Sequence, residues 1–501
     1  MTPIGRWGAS VHPLAIAVAI AGLTSMRLDA QLTTGILEGT VHDSAGNVAS
    51  RLEMLITGGL RFETTVRTDA AGRFSMALPY GRYSLRTAGS GESIAVIVVP
   101  LQTNVVNLVV DGLRMVRESG GASRAFGLWS ERLRTATFPE GFTLQSMLAS
   151  RQRATVTMPL DFTGLADNRL ALVSNRAFSW TATQFKLNGL DATDSYQPGR
   201  PAVLPDIQAI SDVVVRTGSR LTTSESYGNE VGVFTAEPGE SWHGAVSTFD
   251  TGSGLSSGNL PNAASRGEVQ QNARFRWFTR DGVEVGGPLT KWADVFGAAG
   301  GQWSRQTVES APPGEDQNSR MLFASLRGRI RASAHDKFAA EYSGARLTLS
   351  DWGIPAGIEA LVSRRMSPEF SQPNGLSDEA ENDGFTFVEA AWTHVGSDTL
   401  EVRYGYSTAR FATWPRTQRT PNQSRIELLG SAVTGAPPLS TIANRPRHEV
   451  EMSWQHAGFE TGTVRHQITA GGDWKRSTPR NRMSTPSDMN LITADGVPAF
   501  A

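Results

Sequence analysis

Two groups of residues in this chain have the types and spacing to do chemistry. Asp191, Asp194, Tyr196 and Arg200 cluster in one stretch just after Asn188-Gly189. Acids, a phenol and a guanidinium in one loop can contact a polar ligand. The competing reading is a solvated loop in which Asp side chains bond nearby amides. Arg327, Arg329 and Arg331 recur with a period of two, so a strand puts all three on one face and Leu326 and Ile330 on the other. Such a row attracts an anionic substrate or pairs with carboxylates, and buried charges need partners, which favours pairing. Catalytic patterns are missing. The eight histidines form no His-Glu-x-x-His, and there is no Gly-x-Ser-x-Gly elbow or phosphate-cradling Gly-Lys-Ser/Thr loop. With no cysteine there is no thiol nucleophile or Cys-type zinc site. The residues thus predict no enzyme, no resident metal and no cofactor.

The elements that must position these residues read as strands. Glycine is abundant, at 51 residues, and short apolar runs between Gly-rich turns favour β architecture. Charge is balanced, 47 Lys+Arg against 48 Asp+Glu, which gives no basic surface for nucleic acid. At 501 residues, two or three domains are expected.

The first thirty residues have the layout of an export signal. Arg6 precedes the apolar run Leu14 to Leu23, and Ala30 is a small residue before Gln31. No later stretch reaches the roughly 20 apolar residues of a transmembrane helix, so any membrane crossing falls to strands. Residues 32–112 alternate in short strands: Gly35 to His42, Leu52 to Ile56, Phe62 to Thr68, Phe74 to Leu78, Tyr83 to Thr87 and Val105 to Val110. Asp69 to Gly72 is a hairpin turn in which Gly72 takes a positive φ. A small sandwich is expected. Residues 113–240 are less regular. A short helix is predicted over Thr143 to Gln152, with Leu144, Met147 and Leu148 on one face, then a strand Gln184 to Leu187, a helical turn at Ile207 to Ile210, and strands Asp212 to Arg216 and Val231 to Ala236. From 241 onward the chain reads as long hairpins. Thr386, Val388, Ala390 and Trp392 alternate with Phe387, Glu389 and Ala391; Leu400, Val402, Tyr404 and Tyr406 with Glu401 and Arg403; Val450, Met452 and Trp454 with Glu449 and Glu451. Long polar loops are expected around Ser310 to Ser319, Trp352 to Gly384 and Trp414 to Arg447.

Three sets of residues carry a family resemblance. "TDAAGRFSM" and "LPYGRYSLR", with the Gly39 to Val48 turn, resemble the carboxypeptidase regulatory-like domain, which implies a prealbumin-like sandwich and not a protease. Asn188-Gly189 followed by two aspartates, the strand leading to Thr217-Gly218, and Pro238-Gly239 before Trp242-His243-Gly244 resemble the end of the plug of TonB-dependent outer-membrane receptors. Gly286 to Arg305 resembles an early strand pair of the Oar-like members of that group. The resemblance implies an all-β dominated chain: signal peptide 1–30, regulatory-like sandwich 32–112, mixed α/β plug 113–240, and part of a transmembrane antiparallel barrel over 241–501. Nine or ten spanning strands are countable after Trp242, against about 22 in plugged transporters, so an incomplete barrel is expected.

The resemblance also implies partners and a compartment. These are the lipid of a Gram-negative outer membrane, with the sandwich in the periplasm, the TonB-ExbB-ExbD energy-coupling complex, and an oligosaccharide, peptide or metal chelate as substrate. In such a barrel Arg327, Arg329 and Arg331 face the lumen, and Asp191, Asp194, Tyr196 and Arg200 lie in a plug loop. No TonB box is recognised between Val109 and Arg124, where Leu113 to Val116 is the nearest candidate. This absence keeps a second reading open, an outer-membrane carbohydrate-binding or adhesin-type receptor without energised transport.

Overall fold

The computed structural model describes 34–58, 62–79, 81–87, 93–98, 103–112, 114–117, 128–132, 143–144, 148, 155–156, 172–174, 179–217, 228–255, 274–307, 316–352, 378–396, 398–415, 424–427, 433–435, 440–461, 464–485, 490–494 and 497–500. The export signal and Gln31 lie outside the described residues.

The first body is a two-sheet sandwich. One sheet runs in the order Arg73–Pro79, Thr34–Asp43, Leu108–Asp111, Arg114–Arg117, with Thr103–Val105 also pairing to the first strand. The other runs Phe62–Arg67, Glu53–Gly58, Gly81–Thr87, Ile94–Val98. Alternation drives both. Leu37 and Val41 turn inward with Met54, Ile56, Phe74 and Leu85 to form one core. At the Asp69 turn, the side chain accepts from the amides of Ala71 (2.9 Å) and Arg73 (2.7 Å), and Gly72 takes φ 68°. The expected strand Val105 to Val110 is interrupted at Val106 and Asn107, because Asn107 turns its side chain to Thr40. The sheet continues past residue 112: Arg114–Arg117, which contains most of the nearest TonB-box candidate, pairs antiparallel with Leu108–Asp111.

The second body is a five-stranded sheet, Leu128–Arg132, Ile210–Thr217, Asn229–Thr235, Thr183–Leu187, Leu190–Asp191. Asn188 (φ 52°) and Gly189 (φ 96°) form the tight left-handed turn that an Asn-Gly pair favours. Helical backbone among the described residues is confined to Leu144 and Leu148 and to 3-10 turns such as Ile207–Ala209. The helix expected over Thr143 to Gln152 lies mostly outside the described residues, and the two of its described positions that are helical are Leu144 and Leu148. Both are buried in the core of this second body with Phe185, Leu187, Val213 and Val231.

The third body is an eleven-stranded antiparallel sheet that starts at His243–Gly252. It proceeds through Arg274–Pro288, Ala293–Thr307, Asp316–Arg331, Asp336–Trp352, Asp378–Val395 and Asp398–Pro415. The next position is split. Ser440–Asn444 and Arg447–Thr461 both pair with Asp398–Pro415, on either side of Pro446, whose missing N–H interrupts the ladder. Arg480–Ser484 and Val464–Ser477 pair onto those two pieces. Strands run further into the expected loops than alternation suggested, and within 414–447 there are short strands at Ser424–Glu427 and Val433–Gly435. Among the described residues, His243–Gly252 and Val464–Ser477 do not pair to close the sheet.

The polarity of this sheet is inverted relative to a soluble protein. Leu326 (55%) and Ile330 (46%) are exposed, as are Val388, Tyr404, Val450, Met452, Ile468 and Trp474. Glu341, Glu389, Glu401, Arg403, Glu449 and Glu451 on the opposite face are buried. Apolar-out and polar-in is the pattern of strands that span a bilayer around a polar interior. At the short-turn end a small device repeats. Trp392 Nε1 donates to Asp336 (3.1 Å), which also bonds His394 Nδ1 (2.9 Å). Trp454 Nε1 donates to Asp398 (3.1 Å), which bonds His456 Nδ1 (2.6 Å).

Candidate functional site

The site is the contact between the second body and the polar face of the third. It begins with close approach. A Cβ on Gly405 would meet Leu190 Cδ1 at 2.7 Å, and one on Gly282 would meet Gln208 Oε1 at 1.9 Å, so glycine on the third body's sheet is what lets the second body approach it.

The centre of the contact is the Asn188 turn. Its Nδ2 donates to Glu341 (2.9 Å) and Glu389 (2.8 Å), and its Oδ1 accepts from the amide of Thr235 (3.0 Å). Thr235 Oγ1 donates to Glu341 at 2.6 Å. Arg327 donates to Glu341 (3.2 Å) and to Thr235 Oγ1. Arg403 donates to the Asn188 carbonyl and pairs with Glu389 (3.3 Å) and Glu401 (2.8 Å). Two arginines and three glutamates are thus closed into one network by a neutral amide that donates to both strands' acids.

Toward the short-turn end, Arg329 makes a two-bonded contact with Asp294 (3.0 and 2.7 Å) and reaches Glu237, just past the strand Asn229–Thr235, at 3.1 Å. Burial pushes the Glu237 carboxyl up, but Arg329, with Arg327 and Lys337 behind it, outweighs burial and holds it below the usual carboxylate range. The amide of Arg331 donates to the Trp292 carbonyl (2.8 Å) in the adjoining turn.

Toward the long-loop end lie the four loop residues. Asp191 pairs with Arg447 (2.9 Å), and its amide donates to Glu449 (2.9 Å). Burial raises the Asp191 carboxyl, while Arg447 and Lys475 outweigh that and leave it lowered. Asp194, 2% exposed, pairs with Arg445 at 3.1 Å and accepts from the amides of Tyr196 (2.8 Å) and Gln197 (3.2 Å). Both aspartates bond amides of their own turn, Asp191 accepting from that of Thr193 (2.9 Å), and both also pair with arginines of the long sheet, a pairing that neither reading of the loop included. Arg200 lies 3.8 Å from Asp383 and stacks on Phe411 (3.6 Å to the ring centre). Tyr196 is 56% exposed and rests over Arg445. Tyr196 and Arg200 are the members of the group left facing the long-loop side.

Sequence reasoning did not single out Asn188, Glu341, Glu389, Arg403, Arg445, Arg447 or Glu449 as functional. Its available signal was the charged face of each alternating strand. No group of His, Asp and Glu among the described residues is arranged to hold a metal ion.

No protein-family model matches the sequence, and no curated protein matches it. Solved structures do. The outer membrane transporter YddB from Escherichia coli is similar with a TM-score of 0.51 and 11% identity, over 74% of this chain and 50% of that one. The ferripyoverdine receptor of the outer membrane of Pseudomonas aeruginosa is similar at 0.48 and 13% identity, over 80% and 52%. The ferric-catecholate import receptor Fiu from E. coli K12 is similar at 0.48 and 11%, over 72% and 51%. The chain spans about half the length of these solved structures. At such identities the likeness is one of fold: an all-β chain with the sheets of an outer-membrane transporter.

Proposed function

We propose that this chain acts as a TonB-dependent outer-membrane receptor of the Oar-like type. Residues 1–30 export it, 32–112 form a regulatory-like sandwich in the periplasm, 113–240 form the plug, and 241–501 contribute barrel strands. The observation that carries this reading is the Asn188 network. A plug turn is held by buried acids and arginines of a wall whose other face is apolar and exposed. A buried charge network on the inside of an inverted sheet suits a removable stopper, because its bonds exchange for water when the plug moves.

In this reading the TonB-ExbB-ExbD complex supplies the pull and outer-membrane lipid covers the apolar face. Arg327, Arg329 and Arg331 belong to the lumen wall. Tyr196 and Arg200 contact the substrate from the plug apex, with Asp191 and Asp194 holding the apex in place. Among oligosaccharides, peptides and metal chelates, chelates are favoured by two similar structures, one bound to ferripyoverdine and one described as a ferric-catecholate import receptor.

The test is uptake by cells that depend on this protein, using a ferric catecholate and a ferripyoverdine carrying radio-iron, with and without a protonophore. The proposal expects the protein in the outer-membrane fraction and uptake abolished by the protonophore. Binding at the cell surface that never becomes uptake would favour the adhesin-type receptor instead.

A further inference from the structure

The sandwich does not stand apart from the barrel. Val395, beside the short turn that precedes Asp398, is buried within the sandwich's own core cluster, alongside Phe62, Tyr83 and Val98. Thr399, at the start of the next strand, donates its hydroxyl to the Ala77 carbonyl at 3.0 Å. Lys337, just after the neighbouring turn, places its ammonium 3.9 Å from the centre of the Phe62 ring. Phe62 in turn meets Tyr83 edge to face at 5.7 Å. Three barrel residues from two adjacent short turns thus engage one corner of the sandwich, where Phe62–Arg67, Arg73–Pro79 and Gly81–Thr87 meet.

Beneath that corner lies a polar cavity of about 80 Å³. Pro79, Gly81 and Tyr83 of the sandwich close one side. Glu237 of the plug, and Arg329 and Arg403 of the barrel, line others. The cavity is also lined by Asn188 and Glu389, so among the described residues the sandwich covers the Asn188 network on the short-turn side.

We propose that the sandwich is a docked cap on the short-turn mouth of the barrel, and that the plug loosens only after the cap releases. The docking itself rests on the contacts above. The transport consequence, that release must precede passage, rests on the receptor reading. Among the described residues the contact is mixed in character: it includes an apolar residue, a hydroxyl bond and a cation over a ring, and strand Arg447–Thr461 also approaches Arg73–Pro79. Interfaces of this kind between bodies of one chain separate more readily than a continuous core. The order of events follows from position. A plug strand drawn toward the short-turn end meets the sandwich corner at Glu237 before it clears the wall.

The full chain in outer membranes provides the test, since it has no cysteine of its own. A paired Ala77→Cys and Thr399→Cys variant is treated with a short thiol-to-thiol crosslinker. The cap expects efficient intramolecular crosslinking, and about tenfold slower hydrogen exchange at the plug amides of residues 231–235 in the joined protein than in the unjoined one. A second variant, Thr399→Val with Lys337→Ala, should speed exchange at the same amides. Absence of crosslinking in protein that is otherwise assembled in the membrane would overturn the cap. So would crosslinking that leaves plug exchange unchanged. Failure to reach the outer membrane at all would count against the receptor reading, which separates the two.

Discussion

Asn188 and Glu341 stand 153 positions apart in sequence and 2.9 Å apart in space, the amide of a turn in the second body donating to a carboxylate on the polar face of the long sheet. The same amide nitrogen reaches Glu389, so one side chain bridges two neighbouring wall strands. Only a neutral donor does this without adding charge, and only a residue that accepts a positive φ fits the turn.

Removal of that amide is expected to loosen the plug. Asn188→Ala leaves two buried carboxylates short of a donor and should cost about 1–3 kcal/mol for each group left unsatisfied. Asn188→Asp should cost more, because it puts a third carboxylate beside Glu341 and Glu389. Thermal melting and protease digestion of the plug in membrane-extracted protein report this. Equal stability of all three forms would remove Asn188 from the seat.

The apolar face makes a second prediction. Val450→Arg places a guanidinium where the account puts lipid and should cost about 2–4 kcal/mol near the bilayer midplane. Its measure is the yield of assembled protein in outer membranes, compared with Val450→Leu. Equal yields would mean that this face meets water.

Acid should release the plug, and the direction follows from linkage. The Asp191 and Glu237 carboxyls are lowered in the folded protein. Their ionised forms therefore contribute stability that is fully present above the unfolded carboxylate values of about 4 and is lost as pH falls through the lower folded values. The share of the plug's protease protection that these two acids supply should be lost as pH falls below about 4, so Asp191→Asn and Glu237→Gln should each blunt that acid-induced fall. An acid-induced fall of the same size in both variants and the parent would contradict the pairing of these two acids with Arg447 and Arg329.

The sandwich gives a prediction about its boundary. Arg114–Arg117 closes one edge of its first sheet, and Met115 is buried in the core. A fragment of residues 32–117 should melt cooperatively, and one of residues 32–112 at a lower temperature. Identical melting would show that the last strand adds nothing to the sandwich.

Much of this fold is legible in the sequence, for reasons that particular residues make plain. Alternation through Val388, Glu389 and Ala390 marks a strand and its two faces, and the Asn188-Gly189 pair marks a left-handed turn. Alternation also separates the polar face from the apolar one. It does not say which polar face meets which partner. Asp191 and Glu449 are 258 positions apart, and nothing local to either announces the other. The sandwich contact is hidden for the same reason: Val395 reads as the apolar end of a barrel strand, yet its burial comes from another body. The break at Pro446 was folded into a long polar loop, because the short strands around it carry too few residues to show a period.

The central claim is that the exposed apolar face lies in lipid while the polar face holds the plug. Single cysteines at Leu326, Val388 and Met452 test it in outer membranes, each in a chain otherwise free of cysteine. The account predicts rapid reaction of all three with a lipid-soluble maleimide and none with a charged, water-soluble one. Modification of these positions by the water-soluble reagent, with the lipid-soluble one excluded, would contradict it.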